Sequence, residues 1–231
     1  MRDSGSPSST PVLVILQTAP RPTCLYEDEH LLVLDKPAGM LSVPGRGPDK
    51  QDCLISRALQ YWPDALVVHR LDMATSGLLL LARNKEVQRH LGDAFAARDV
   101  HKRYTAIVHG HVAAETWQLV DAPLICDWEN RPLQIVDPHT GKPSQTRYMR
   151  APDQNHVPAG CTKLWLEPIT GRSHQLRVHM THIGHPMLGD ALYAPTNVQS
   201  LSDRLCLHAT TLKFQHPVHN QQLEIASPAP F

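Results

Sequence analysis

The chain has 231 residues, 42% of them hydrophobic, enough to bury a substantial core as one large domain or two tightly packed halves. Its 22 Lys and Arg against 22 Asp and Glu leave no global basic bias, so a nucleic-acid partner has to be argued from local charge. No run approaches the roughly 18 apolar residues of a membrane span, and the N-terminus MRDSGSPSSTP lacks the apolar stretch and cleavage site of a signal peptide.

The expectation is therefore a cytoplasmic protein with no membrane partner. Five cysteines, scattered and never arranged as C-x-x-C, argue against a disulfide framework or a zinc site.

Residues 1–24 read as a variable N-terminal tail. The first ten are rich in Ser, Pro and Gly, whose ordering entropy burial cannot offset, although PVLVILQ could add a strand. From Leu25 the pattern becomes regular. HLLVLDKP reads as a strand stopped by Pro37, AGMLSVPGRGP as a turn-rich loop, and Asp52–Trp62 as a helix with Ile55, Leu59 and Trp62 at helical spacing. After ALVVHRLD the run GLLLLA is short enough for a buried strand, and Asn84 is placed to cap a helix that sets Val87, Leu91, Ala94 and Phe95 on one face. KRYTAIVHG alternates, with Tyr104, Ala106 and Val108 on one side and Arg103, Thr105 and Ile107 on the other. SQTRYM, TKLWLEPI and RLCLHATTLKF read as strands, and HQLRVHMTHIG as a helix with a Leu176, Met180, Ile183 stripe and Gly184 as C-cap. Strands outnumber helices and mostly come in runs, which predicts an α+β fold around a largely antiparallel sheet.

Local charge is uneven. Between Pro168 and Gly189 lie Arg172, Arg177 and four histidines with no acid, and six Lys and Arg between Arg83 and Arg103 outnumber three acids. These stripes suit phosphates.

In HRLDMATSGLLLLA the carboxylate of Asp72 follows His69 and Arg70 and precedes a strand, with Gly77 permitting a tight turn. It is either a turn-capping acid or a chemical tool displayed at a strand edge. A kinase reading of HRLD fails, because Leu71 interrupts H-R-D and the chain has neither G-x-G-x-x-G nor D-F-G. The absence of Walker and dinucleotide fingerprints predicts a reaction without a nucleotide cofactor. Four histidines in TGRSHQLRVHMTHIGHP invite a metal reading. H-E-x-x-H is absent and no carboxylate lies nearby in that stretch, so no metal is expected, and phosphate contact, structural hydrogen bonding and exposure remain open for them. Arg172 and Arg177, five apart, would diverge on a helix and address different partners. Tyr104 is either core or an aromatic face beside a nucleic-acid path, the latter favoured by Lys102 and Arg103.

Taken together, HRLDMATSGLLLLA, KRYTA, GRSHQLRVHMTHIGHPMLGD and LHATTLKF resemble, in order and spacing, the RluA-type pseudouridine synthases. KPAGMLSVPG and LICDWENRP resemble the RluA branch in particular. The likeness implies a pseudouridine synthase catalytic domain over residues 25–231, with an RNA-binding cleft. Its activity would be a cofactor-free isomerisation that detaches uracil from its ribose, turns it and rejoins it through carbon. The family's catalytic aspartate falls on Asp72, its active-site tyrosine on Tyr104, and the arginine that pairs with the aspartate on Arg177. The arginine thought to enter the RNA stack falls on Arg70. Arg177 would hold Asp72 ionised against desolvation. His69, Lys102, Arg103, Arg172 and His174 are the further RNA-binding candidates.

With about 24 residues before Leu25 no S4 module is expected, so the resemblance points to the dual-specificity enzymes. Their RNA partners are the tRNA anticodon stem-loop, at uridine 32, and a 23S rRNA stem-loop, at uridine 746. A monomer is expected. Two rivals stand beside this reading: a nucleoside or glycoside hydrolase, which needs a second carboxylate that neither basic motif supplies, and a non-catalytic RNA-binding module.

Overall fold

A computed structural model describes residues 20–231. The possible strand PVLVILQ lies outside the described residues. The first half supplies β1 (Thr23–Glu27), β2 (Leu31–Lys36), α1 (Leu54–Ala58), β3 (Leu66–Val67), β4 (Ser76–Ala82) and α2 (Lys85–Ala97), and β5 (His101–His109) opens the second. There follow β6 (Gln118–Asp121), β7 (Leu124–Cys126), β8 (Gln134–Val136), β9 (Gln145–Arg150), β10 (Cys161–Pro168), α3 (Gln175–His182), α4 (Thr196–Gln199), β11 (Leu207–Gln215) and β12 (Gln222–Ala226).

Ten strands build one sheet in the order β1-β2-β4-β11-β5-β10-β9-β6, with β3 added beside β4 and β12 beside β11, while β7 and β8 form a separate hairpin. Every pairing is antiparallel except that of β4 with β11, so the α+β architecture expected from the sequence is the one observed.

The apolar runs explain the middle of the sheet. Leu78 to Leu81 on β4 and Leu31 to Leu34 on β2 have no exposed surface, because α1, α2 and β3 cover what the sheet alone would leave wet. Removing most of one such leucine would cost about 2–5 kcal/mol. Asn84 caps α2 by accepting from the Val87 N–H at 2.9 Å, and Arg98 ends the helix in a left-handed conformation. The helix expected over residues 52–62 is regular only over Leu54–Ala58. It tightens into three-residue turns at Gln60 and Tyr61 before Pro63, the usual way a helix end satisfies its last carbonyls.

Two clusters make up most of the core. One joins β2, β4, α1 and α2; the other joins β5, β10 and α3, and Tyr104 packs against both. Their junction, at β4, β11 and β5, is where the two halves leave a cleft. Gly77 makes the parallel β4–β11 approach possible: at φ +105° it lies so close to the Ala209 backbone that any Cβ would collide.

Candidate active site

The segment carrying Asp72 runs straight into β4 and is held from below by the loop after β2. Ser42 Oγ donates to Leu71 O (2.8 Å) and accepts from Leu71 N (3.0 Å), and Gly39 N donates to Met73 O (2.9 Å). Lys36, with no exposed surface, donates from Nζ to the carbonyls of Pro37, Met40 and Met73 at 2.9, 2.7 and 3.0 Å. Three carbonyls use all three ammonium protons. Burial pushes the Lys36 pKa down to about 8, and the charge of Asp72 opposes that fall. The sequence reading missed Lys36, whose only signal was a lysine closing the strand LLVLDK, where a buried position is not expected of it. Just beyond Asp72, Ser76 Oγ pairs with His208 Nδ1 (2.8 Å) and receives the Arg204 guanidinium. His208 Nε2 reaches Ser227 Oγ (3.1 Å), which donates to Asp35 (3.1 Å). The reactive segment is thus pinned at both ends by buried polar networks.

β5 forms one wall. Lys102 and Tyr104 face the cleft, and burial, then the negative charge of Asp72, raises the Tyr104 pKa, so the phenol stays protonated. Arg103, one residue out of phase, faces the other side of the sheet. There it donates to the buried carboxylate of Glu167 at 3.0 and 2.7 Å and stacks on Trp165, 4.7 Å from its ring centre. The expected RNA contact from Arg103 is not supplied at this cleft, because strand alternation sends it away. His69 lines the cleft, but its Nε2 accepts the Leu80 N–H at 2.9 Å and its ring stacks on Phe95 at 4.6 Å. Burial, then Lys102, pushes its pKa down to about 3, so His69 is neutral and braces β4 rather than offering a cation to phosphate. Arg70, exposed, sits at the cleft.

α3 and the turn before it form the opposite wall. Gln175 locks that turn: its amide oxygen accepts from Thr170 Oγ1 (2.7 Å) and Arg172 N (3.0 Å), and its nitrogen donates to Gln145 O (2.9 Å). Arg172 lies before the helix rather than on it, so it and Arg177 converge on one cleft instead of diverging. The Arg177 side chain is 4% exposed and makes a two-pronged pair with Asp190, Nε–Oδ2 2.8 Å and Nη2–Oδ1 2.6 Å. Its Nη1 stands 3.8 Å from Asp72 Oδ2. The sequence assigned Arg177 to Asp72, but its first partner is Asp190. Burial disfavours the charged guanidinium, but Asp190, then Asp72 and Tyr193, together leave its pKa above the usual value.

His174 Nε2 stands 4.0 Å from Asp72 Oδ1, so each carboxylate oxygen faces one nitrogen donor. The other histidines of the cluster go elsewhere. His179 is buried with both ring nitrogens bonded, to Thr146 and Ala122 O at 2.9 Å each, His182 is exposed, and His185 bonds His109 O at 3.0 Å. Among the described residues no group of three or more His, Cys, Asp or Glu is arranged to hold a metal ion.

These walls enclose a cleft of roughly 470 Å³ lined by Arg70, Asp72, Lys102, Tyr104, Arg172, His174 and Arg177. Asp72 keeps 29% of its side chain exposed there, whereas Asp190 is 1% exposed and fully engaged by Arg177 and by the N–H groups of Leu192 and Tyr193. The site therefore contains the second acid that the sequence reading found lacking, but in a form unable to serve as a free acid or base. One accessible carboxylate, an aromatic wall and a rim of cations suit attack on a sugar carried by a polyanion.

Comparison with known proteins agrees. Residues 30–182 match the family model described as RNA pseudouridylate synthase. The chain is 44% identical over 229 residues to the dual-specificity RNA pseudouridine synthase RluA of Escherichia coli strain K12, covering 99% of each chain. It is 48% identical over 201 residues to the protein of that description from Vibrio vulnificus strain CMCP6, covering 87% of this chain and 80% of that one. Among solved structures, human RNA pseudouridylate synthase domain containing 1 superposes with a TM-score of 0.75 at 28% identity, over 91% of this chain and 84% of that one. The family model and these relatives place the chain in the RNA pseudouridine synthase family, isomerases that convert uridine in RNA to pseudouridine.

Proposed function

We propose that the chain modifies uridine 32 of the tRNA anticodon loop and uridine 746 of 23S rRNA, with Asp72 as the catalytic carboxylate. The observation that carries the reading is the contrast between the two acids at the site: Asp72 is presented to the cleft and Asp190 is locked away. A uridine flipped from a loop would place its ribose against Asp72 and its uracil against Tyr104. Asp72 would act at the sugar as nucleophile at C1′ or base at C2′, the N1–C1′ bond would break and the C5–C1′ bond form, and the C5 proton would pass to solvent as N1 gains one. Arg177 orients Asp72, Arg70 fills the stack that the uridine vacates, and Lys102 and Arg172 meet the RNA backbone, while the His174 ring faces Asp72.

The catalytic unit spans residues 25–231 and works as a cytoplasmic monomer without a cofactor. Among the described residues no helix is long and apolar enough to cross a membrane. The hydrolase rival loses its second acid to the Asp190–Arg177 pair, and it predicts free uracil as product.

The test is to incubate the protein with an isolated anticodon stem-loop and a 23S rRNA stem-loop and map the product by carbodiimide-blocked reverse transcription. Single stops at the two named uridines support the reading. Stops at other uridines, or conversion only of assembled ribosomal subunits, overturn it.

A further inference from the structure

Tyr193 lies outside every motif considered above except as a neighbour of Asp190, yet it touches the site from several sides. Its hydroxyl is 2.6 Å from His174 Nδ1 and accepts the backbone N–H of Gln134 on β8 at 3.0 Å. Its ring lies 5.0 Å beneath the Arg177 guanidinium, and its own N–H donates to Asp190 Oδ1 at 3.2 Å. Burial pushes the phenol pKa up to about 12, so the group carries its proton.

The hydrogen-bond accounting at this hydroxyl favours one tautomer of His174. A phenol has one proton to give, and one of its lone pairs is already taken by the Gln134 N–H. If His174 donated from Nδ1, the phenol oxygen would accept twice and its own proton would have no protein acceptor among the described residues. If the phenol donates, its proton meets Nδ1 and its oxygen still accepts the Gln134 N–H. His174 is then neutral with its proton on Nε2, the nitrogen 4.0 Å from Asp72 Oδ1. Burial lowers the His174 pKa and favours that neutral form. The backbone of His174 adds a second sign: it sits at φ +54°, a left-handed conformation that a residue with a Cβ adopts at a cost. The ring is held where relaxed backbone would not put it.

We propose that Tyr193 is a positioning residue for the isomerisation, its hydroxyl donating to His174 Nδ1 so that the His174 Nε2–H faces Asp72. With the Arg177 Nη1 at 3.8 Å from Oδ2, the two donors address the two carboxylate oxygens separately and set the plane in which Asp72 meets the sugar. Neither separation is a hydrogen bond in the free protein, and such contacts commonly shorten in the substrate complex. The groups facing His174 are Asp72 and Arg70 from the segment before β4, Arg177 from α3, and Asp190 and Tyr193 from the segment after it. Because β8 supplies the N–H that orients the phenol, the β7–β8 hairpin is coupled to Asp72 through two side chains. The inference rests on Asp72 being the catalytic acid.

Tyr193→Phe in the full chain keeps the ring under Arg177 and removes only the hydroxyl. Single-turnover release of tritium from RNA labelled at uracil C5 should slow by about tenfold at pH 8, with RNA affinity changed by less than about twofold. The defect should shrink only as the pH falls below the ordinary imidazole value of about 6.5, because burial holds the His174 pKa down and an imidazolium carries a proton on Nε2 whatever its neighbour does. On a His174→Gln background, whose amide N–H replaces the imidazole Nε2–H, the same change should cost little more. Nitrogen-15 spectra of histidine-labelled protein, with His174 assigned by difference, should show Nε2–H in the parent and a tautomer mixture in Tyr193→Phe. Nδ1–H in the parent, a defect of equal size at every pH, or full activity in Tyr193→Phe would each overturn the inference. An active Asp72→Asn chain would instead overturn the assignment of Asp72, and the inference with it.

Discussion

Replacing Asp190 by Ala isolates the interaction that the structure places beneath the reactive acid. The change removes two bonds to a guanidinium whose side chain is 4% exposed, and it also strips the Leu192 and Tyr193 N–H groups of their acceptor at 2.9 and 3.2 Å. Breaking a buried ion pair by removing one partner costs about 3–5 kcal/mol. Arg177 has Asp72 only 3.8 Å from Nη1, so it can turn toward that carboxylate and recover part of the loss. A net destabilisation of about 3 kcal/mol is expected, near 10 °C in melting temperature for a chain of this size. Urea unfolding followed by tryptophan fluorescence measures it. Activity should fall as well, since a direct Arg177–Asp72 bond would occupy the acid needed for chemistry. A loss below about 1 kcal/mol would refute the reasoning, because it would mean that Arg177 is not a desolvated cation dependent on Asp190.

Lys36→Met leaves three carbonyls without their donor and should destabilise the chain by about 2–4 kcal/mol in chemical denaturation, at roughly 1 kcal/mol per bond. The folded pKa of Lys36 lies below its unfolded value, so between about pH 8 and 10.5 the unfolded chain holds more protons. The parent should therefore gain stability relative to Lys36→Met as pH rises through that window, and a difference that shrinks instead would contradict the placement of the ammonium. Gly77→Ala should fail to accumulate as folded protein, judged by circular dichroism and melting, since its Cβ meets the Ala209 backbone; a melting point equal to the parent's would count against the β4–β11 register. Exhaustive EDTA treatment should leave turnover on a folded stem-loop unchanged, and activity restored specifically by zinc would reinstate a metal role for the histidines.

Much of the architecture was legible because its signals were local. GLLLLA was short enough for a buried strand and forms β4, Asn84 was placed to cap the helix it does cap, and Gly184 at φ +85° ends α3 as its position suggested. The site was legible in part. Asp72, Tyr104, Arg172, His174 and Arg177 do meet in one cleft, but their partners come from distant parts of the chain. Asp190 binds Arg177 across 13 residues, and Lys36 reaches Met73 across 37, relations that no periodicity encodes. Arg103 marks a different limit. The alternation of KRYTA already sets it opposite Tyr104, so strand geometry, not the charge stripe, decides where it points. His69 shows the same: a histidine beside Arg70 and Asp72 reads as chemistry, while the Leu80 N–H and the Phe95 ring that hold it belong to the tertiary fold.

The central claim, that Asp72, the aspartate open to the cleft, carries the isomerisation of uridine in RNA, is tested most directly by comparing the parent with Asp72→Asn on stem-loop RNA carrying tritium at uracil C5. The amide keeps the shape of the side chain and loses its charge. The parent should release tritium in step with pseudouridine and liberate no free uracil, while Asp72→Asn should bind the RNA with affinity within a few-fold of the parent and release nothing above background. Substantial tritium release by Asp72→Asn, or free uracil from the parent, would contradict it.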